Sequence, residues 1–421
     1  RDQVKIVIGG GPVDQAVADY VGADAYAADG SRVLALAERR LANDSTLGAD
    51  VEENLVVLGL VAMADPPRAE SRAAVEACVS AGITPVMITG DHPSTARAIG
   101  TRLGLLDGRE VLTGAELAQI HATGLADRVE AIGAYARTSP EQKLDIVAAW
   151  KTRGEIVAMT GDGVNDAPAL HTADIGVAMG RAGTEVAKEA ADMVLTDDNF
   201  ATIVAAVKEG RRIYDNIRRF VRYTLTSNSG EIWVMILGPF VGLPIPLLPV
   251  QILWINLVTD GLPGLALGVE PAERRVMSRP PRPPSESIFA RGLALHVVLV
   301  GLLMGLIPLG LALWGDATGR PWQTMLFTSL ALLQLGNALA VRSEEESLLS
   351  LGLRSNKPLL GAVALTLALQ LVAVYWTPMG GLLGIEPLGL LELTVTLLAS
   401  TGVLWAVEAE KATRRRRANR R

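Results

Sequence analysis

Cysteine is all but missing. Cys78 is the only one in 421 residues, which excludes an intrachain disulfide framework and any cysteine-based zinc site. Charge is scarce too: Asp, Glu, Lys and Arg make up 20 % of the chain against 49 % hydrophobic residues. A soluble protein of this size rarely has that balance, so a membrane component is expected. RDQVKIVIGGGP, a charged start running into a strand, is not expected to be a secretory signal. The net charge of −6 hides an asymmetry, with acidic residues concentrated in the first half and RRRRANRR near the end. That tail directly follows an apolar stretch. It therefore reads as a cytoplasmic membrane-flanking cluster, not as a nucleic-acid arm.

What is present divides in two. Up to about residue 200, short β-rich runs alternate with amphipathic helical runs. Strands are predicted at VKIVI (4–8), NLVVLGLV (54–61), TPVMIT (84–89), EIVAMT (155–160), IGVAM (175–179) and DMVLT (192–196). Between several of them lie helix patterns such as AESRAAVEACVSAG, PSTARAIGTRLG and PEQKLDIVAAWKTRG. The alternation predicts a parallel α/β sheet covered by helices, with ligands beyond the carboxyl ends of its strands. TGD at 89–91 and TGDG at 160–163 fall at two such ends.

From about residue 200 a long basic helical pattern runs straight into apolar sequence. Six apolar stretches follow, near 223–241, 247–268, 292–314, 322–341, 358–376 and 386–407. Several are long enough to cross about 30 Å of hydrocarbon. Their connections alternate in basic content: VGLPIPLLP and PMGGLLGIEP have no basic residue, whereas EPAERRVMSRPPRPPSESIFAR has many. The positive-inside rule then predicts a six-span α-helical membrane domain with both ends cytoplasmic.

Two groups of residues carry chemistry. In MTGDGVNDAPAL, Asp162 sits at a strand end and Asp166 at a helix start, beside glycines that leave room for a phosphate. A hard cation such as Mg²⁺ takes one or two carboxylates plus phosphate oxygens and water. Thr89, Gly90 and Asp91 offer a hydroxyl and backbone N–H groups for phosphate oxygens. Lys143 opens a neighbouring helix and either neutralises phosphate or is an ordinary solvated lysine. The second group lies in the apolar half. TSNSGE places Asn228 and Glu231 three apart, and WINLVTDGLPG places Asn256, Thr259 and Asp260 on one face. Carboxylates in membrane spans are costly and by default functional. Oxygen-only ligands suit a hard cation, and Gly261 with Pro263 is expected to unwind the second helix and free its carbonyls. Gln334 and Asn337 are either extra ligands or polar packing groups.

Taken together, MADPPR (63–68), MITGDHPSTARAIG, ARTSPEQK, MTGDGVNDAPAL, VAMGRAGTEVAKEAADMVLTDDNFATI and the two membrane motifs resemble the cation-transporting P-type ATPases, Ca²⁺-ATPase-like branch. The resemblance runs from about Ser31 to the C-terminus. It implies a haloacid-dehalogenase-like domain that forms an aspartyl phosphate from ATP, coupled to cation transport through an integral membrane domain of a bacterial plasma membrane. By motif, Asp162 would hold Mg²⁺ with Asp166 and Asn165 supporting it. Thr89, Gly90, Asp91 and Lys143 would contact the phosphoryl group, while Arg32, Asp65 and Arg137 would serve the nucleotide and its hinge. Asn228, Glu231, Asn256, Thr259 and Asp260 match the cation ligands. Where some calcium pumps carry a fourth-span glutamate, this chain has Gln334, which leaves a one-site, calcium-type stoichiometry or another cation open.

The resemblance also sets expectations about what is missing. No DKTG occurs in the chain, and the TGE loop, the first four spans and most of the nucleotide domain are not recognised. The expected division is 1–30 a Rossmann-like segment, 31–64 the end of a nucleotide domain, 65–200 a phosphorylation domain without its nucleophile strand, and 201–421 the spans and basic tail. Residues 1–30 resemble the end of a cobalamin-binding, corrinoid-type domain. The DxHxxG motif is absent, so cobalamin binding is not expected and a fusion near Gly30–Ser31 is. The chain reads as the C-terminal part of a pump, its partners a transported cation, the bilayer and the missing N-terminal half. The alternative is a non-enzymatic membrane protein that binds cations or regulates a full-length pump.

Overall fold

The computed structural model describes residues 5–8, 32–39, 56–63, 67–120, 122–344 and 346–418. It divides into two units, residues 1–206 with 277–281, and residues 207–276 with 282–421.

In the first unit, β1 (Lys5–Ile8), β2 (Arg32–Arg39) and β3 (Val56–Met63) form an antiparallel sheet in that order. Ile6 lies opposite Glu38, and Leu34 opposite Val61, with a register shift at Leu36/Ala37. These strands differ from the parallel pattern expected of the cytoplasmic region. Apart from Lys5–Ile8, the corrinoid-like segment lies outside the described residues, as does Asp65. Arg32 opens β2, and its side chain is likewise outside them.

The α/β part follows. Helix α1 (Ala69–Ser80) precedes β4 (Met87–Thr89), then come α2 (Pro93–Leu103), β5 (Glu110–Thr113) and β6 (Ile132–Ala136). After α3 (Pro140–Thr152) the chain makes β7 (Ala158–Gly161), α4 (Ala167–Thr172), β8 (Ile175–Met179), α5 (Glu185–Glu189) and β9 (Met193–Leu195). All pairings here are parallel, as expected, but they fall into two sheets of three strands, β4-β6-β5 and β7-β8-β9. Strands β4 and β7 each lie at the edge of their own sheet. Helix α3 ties the two together: its Ile146 and Ala149 pack with Leu112, Leu125 and Tyr135, and its Val147 with Met159, Leu170 and Ala178. Ile88 of β4 packs on both groups. The ends of α3 follow from its sequence. Ser139 and Gln142 make a reciprocal capping box, and Pro140 starts the first turn.

The second unit is helical. The basic-to-apolar run forms one helix, α6 (Phe200–Phe240). Next come α7 (Pro249–Trp254), a π-helical turn (Ile255–Asp260) and α8 (Gly261–Leu267), then α9 (Leu293–Ala317), α10 (Trp322–Ala340), α11 (Lys357–Tyr375), α12 (Leu390–Ser400) and α13 (Gly402–Ala418). Among the described residues four helical segments are long and apolar enough to cross a membrane: Pro249–Leu267, Leu293–Ala317, Lys357–Tyr375 and Leu390–Arg416. The other two expected stretches are also helical, within α6 and as α10, but fall outside that set. Helix α10 is the interior element, with Met325, Leu326, Phe327, Leu330 and Leu333 fully buried. Helices α6 and α9 cross closely because Gly301 has no side chain. A Cβ there would come within 2.5 Å of Ser229 Cβ.

Candidate functional site

The first site forms at the carboxyl ends of β4, β6 and β7. Thr89 ends β4 opposite Ala136, and its carbonyl accepts the Thr138 N–H at 3.4 Å. The chain then turns through Arg137, which is exposed at φ 52°, into the cap of α3. That places Lys143 in the first turn of α3, where its Nζ donates to Asp166 Oδ1 at 2.5 Å. Lys143 is therefore not a solvated lysine. The other Asp166 oxygen accepts the N–H groups of Asp162 (3.2 Å) and Gly163 (3.1 Å). Burial works against ionisation of Asp166, but the Lys143 bond and the two amides outweigh it and hold its carboxyl below the ordinary 3.8. Gly161 is required here, since a Cβ would lie 2.4 Å from that of Asp166.

Asp166 thus staples the TGDGVND turn. The Asp162 and Asn165 side chains remain exposed, and Asp162 has no carboxylate hydrogen bond among the described residues. On the β4 side the Thr89 hydroxyl donates to Asp91 Oδ2 and accepts the Asp91 N–H, both at 3.1 Å, which leaves Gly90 exposed at the bend. The structure therefore brings Thr89, Gly90, Asp91, Lys143, Asp162 and Asp166 to one set of strand ends. It gives Arg137 no bond to them.

The second site lies inside the helical unit. Glu231 on α6 is buried and receives two side-chain amides, Asn256 Nδ2 at 3.3 Å and Gln334 Nε2 at 3.0 Å. The Thr259 hydroxyl donates to Gln334 Oε1 at 2.5 Å, so three helical segments meet through Glu231, Asn256, Thr259 and Gln334. Asp260 is the exception. It is 6 % exposed, and neither carboxylate oxygen makes a hydrogen bond of good geometry, although the Tyr223 and Ser227 hydroxyls lie close to it. Both polar atoms of Asn337 are also buried without partners. Asn228 is half-buried and joins none of these bonds. Among the described residues no three His, Cys, Asp or Glu side chains converge, so a cation placed here would have two carboxylates and neutral oxygens to draw on.

One expectation is corrected. Gly261 and Pro263 do not unwind the helix, which passes through Ile255–Asp260 as a π turn and continues as α8. In an α-helix the Thr259 carbonyl would face the nitrogen of Pro263, which carries no hydrogen. The wider turn accommodates this, and the Tyr223 hydroxyl donates to that carbonyl at 3.1 Å. Tyr223 was not among the expected residues. Its spacing, four and eight residues before Ser227 and Glu231, already places it on their helix face.

A parallel α/β unit and a helical unit with buried carboxylates can be compared with known proteins. The model of the haloacid dehalogenase-like hydrolases matches residues 6–174, a second of that description matches 144–207, and the model of the cation transporting ATPase C-terminus matches 244–413. The chain is 48 % identical to the calcium-transporting ATPase of Bacillus subtilis over 83 % of its own length and 40 % of the relative's. It is 42 % identical to calcium-transporting ATPase 1 of Bacillus cereus, over 90 % of the chain and 45 % of the relative. It is 45 % identical to the probable cation-transporting ATPase F of Mycobacterium tuberculosis, over 80 % and 39 %. Over most of its length the chain is similar to calcium- and cation-transporting ATPases. It spans less than half the length of these relatives.

Proposed function

We propose that this chain carries the phosphate-handling and cation-binding parts of an ATP-driven pump for Ca²⁺ or a related hard cation. What supports the reading is that one chain holds both a stapled carboxylate turn at parallel strand ends and a carboxylate without a well-formed hydrogen bond inside apolar helices. In the first site the exposed Asp162 carboxylate suits Mg²⁺, which when bound would neutralise phosphoryl charge. Lys143 fixes Asp166, Asp166 fixes the Asp162 loop, and the Thr89–Asp91 turn presents Gly90 to phosphate oxygens. Asn165 supports the loop, while Arg32, Asp65 and Arg137 are assigned to the nucleotide. In the second site Asp260 and Glu231 supply charge, and Asn228, Asn256 and Thr259 supply neutral oxygens. All six helical stretches span the membrane in this reading, with both ends of the block on the cytoplasmic side.

An acyl phosphate needs an accepting carboxylate, and the chain has no DKTG. The phosphate-accepting aspartate therefore comes from outside these 421 residues, on an N-terminal pump half. Labelled ATP tests this. The chain alone is expected to form no acid-stable phosphoenzyme, and appreciable labelling would overturn the assignment. A non-catalytic, cation-binding protein is the second reading, favoured by the missing motif. It predicts cation binding with no labelling even when an N-terminal half is supplied.

A further inference from the structure

Apart from both sites, α6, α9 and α13 meet at three ionisable side chains. Arg222 Nη2 lies 2.8 Å from His296 Nδ1, and the same ring nitrogen lies 2.6 Å from Glu410 Oε2. Arg222 Nη2 and that glutamate oxygen are 3.5 Å apart. Arg222 and His296 are buried, and Arg222 Nε and His296 Nε2 have no partner. The surrounding charges are largely matched. On α6, Arg218 binds Glu344 at 2.7 Å. On α13, Arg414 binds Glu410, while Lys411 binds Glu408 and the Glu346 carbonyl.

One ring nitrogen cannot serve both of its neighbours. A bare Nδ1 accepts from Arg222 and has no hydrogen for Glu410. A protonated Nδ1 donates to Glu410 and has no lone pair left for Arg222. The position of a single proton thus decides which neighbour holds the ring. A second proton, giving the imidazolium, places a third cation between Arg222 and Arg414, with Glu410 the one carboxylate touching all three. Arg218 has already taken Glu344. Buried charge without a matching partner is costly, and the separation of α13 from the other helices relieves it.

We propose that Arg222, His296 and Glu410 form a proton-sensitive clasp that docks the C-terminal helix α13 on α6 and α9. The clasp is closed with neutral His296 and loosens as the pH falls through the histidine range. Because Arg222 directly precedes Tyr223, whose hydroxyl holds the Thr259 carbonyl, the clasp anchors the helix that carries Glu231. The proposal does not depend on the pumping role.

Hydrogen–deuterium exchange of the 402–416 amides tests it, using the full chain in lipid nanodiscs with the intrinsic pH dependence of exchange removed. Protection of α13 is expected to fall about tenfold or more between about pH 7.5 and about pH 5.5. His296→Gln is expected to abolish that fall, while α10 stays protected as the folding control. Nitrogen NMR of ¹⁵N-histidine-labelled wild-type chain gives a second readout that needs no variant, and the buried ring should titrate over the range in which α13 loosens. Constant α13 protection in the wild type would overturn the clasp. So would the same fall in His296→Gln with α10 protected, or a ring that does not titrate while α13 opens.

Discussion

Asp166 and Asp260 are equally buried, each 6 % exposed, yet they sit in opposite circumstances. Asp166 has every oxygen matched, by one lysine and two backbone amides. Asp260 has neither oxygen in a well-formed hydrogen bond, with only the Tyr223 and Ser227 hydroxyls nearby. A fully satisfied buried carboxylate holds its surroundings in shape, and removing it strands its donors. An unsatisfied one carries a desolvation cost that a cation or proton relieves. Equal burial thus goes with two different roles, one residue that holds a turn in shape and one that is proposed to bind. The same contrast runs through each unit, since exposed Asp162 depends on Asp166 for its position, and Asp260 depends on Tyr223 and the π turn.

The comparison breaks most readily at Asp166. Asp166→Ala leaves Lys143 half-buried without its anion and frees two amides, so the α/β unit should lose about 3 kcal/mol, read from thermal or urea unfolding. Asp260→Asn should do the reverse. Cation affinity is expected to fall about 100-fold, close to 2.7 kcal/mol, while stability without cation stays level or rises, as equilibrium binding and melting of the same preparation would show. Tyr223→Phe removes the donor to a carbonyl that Pro263 cannot serve and is expected to cost about 1 kcal/mol in unfolding measurements. Asp162→Asn should change stability by less than about 0.5 kcal/mol while weakening Mg²⁺-dependent phosphate binding. The pH profile sharpens the contrast. The native Asp166 carboxyl is held below 3.8, so its contribution is complete above that value and lost as the pH falls through the lowered one. Asp166→Asn should flatten this acid limb of the unfolding profile.

Much of this was legible in the sequence where a single local force decides the outcome. IGVAM became β8 residue for residue, and PEQKLDIVAAWKTRG became α3, because capping and periodicity agree there. The long basic-to-apolar pattern became α6. Strand β6 was not legible: IGAYA is buried along its whole length, so it shows no alternation. Strand β2 was hidden differently, since RVLALAER is rich in helix-forming residues and is a strand only because β1 and β3 pair with it. At the proposed sites the sequence names candidate residues but not their states. Spacing predicts Asp166 beside a phosphate site and Asp260 among apolar helices. Only three-dimensional packing supplies Lys143 to the first and leaves the second without a well-formed hydrogen bond. The helix break expected at Gly261–Pro263 failed for a related reason, because a tyrosine from another helix serves the carbonyl that proline leaves open.

The most direct test of the account is equilibrium binding of radioactive Ca²⁺ to the reconstituted chain, wild type against Asp260→Asn, with unfolding of each preparation measured alongside. Saturable binding by the wild type, lost in a variant that is no less stable, is the predicted result. Equal binding by the two, or an Asp260→Asn chain destabilised as severely as Asp166→Ala, would contradict it.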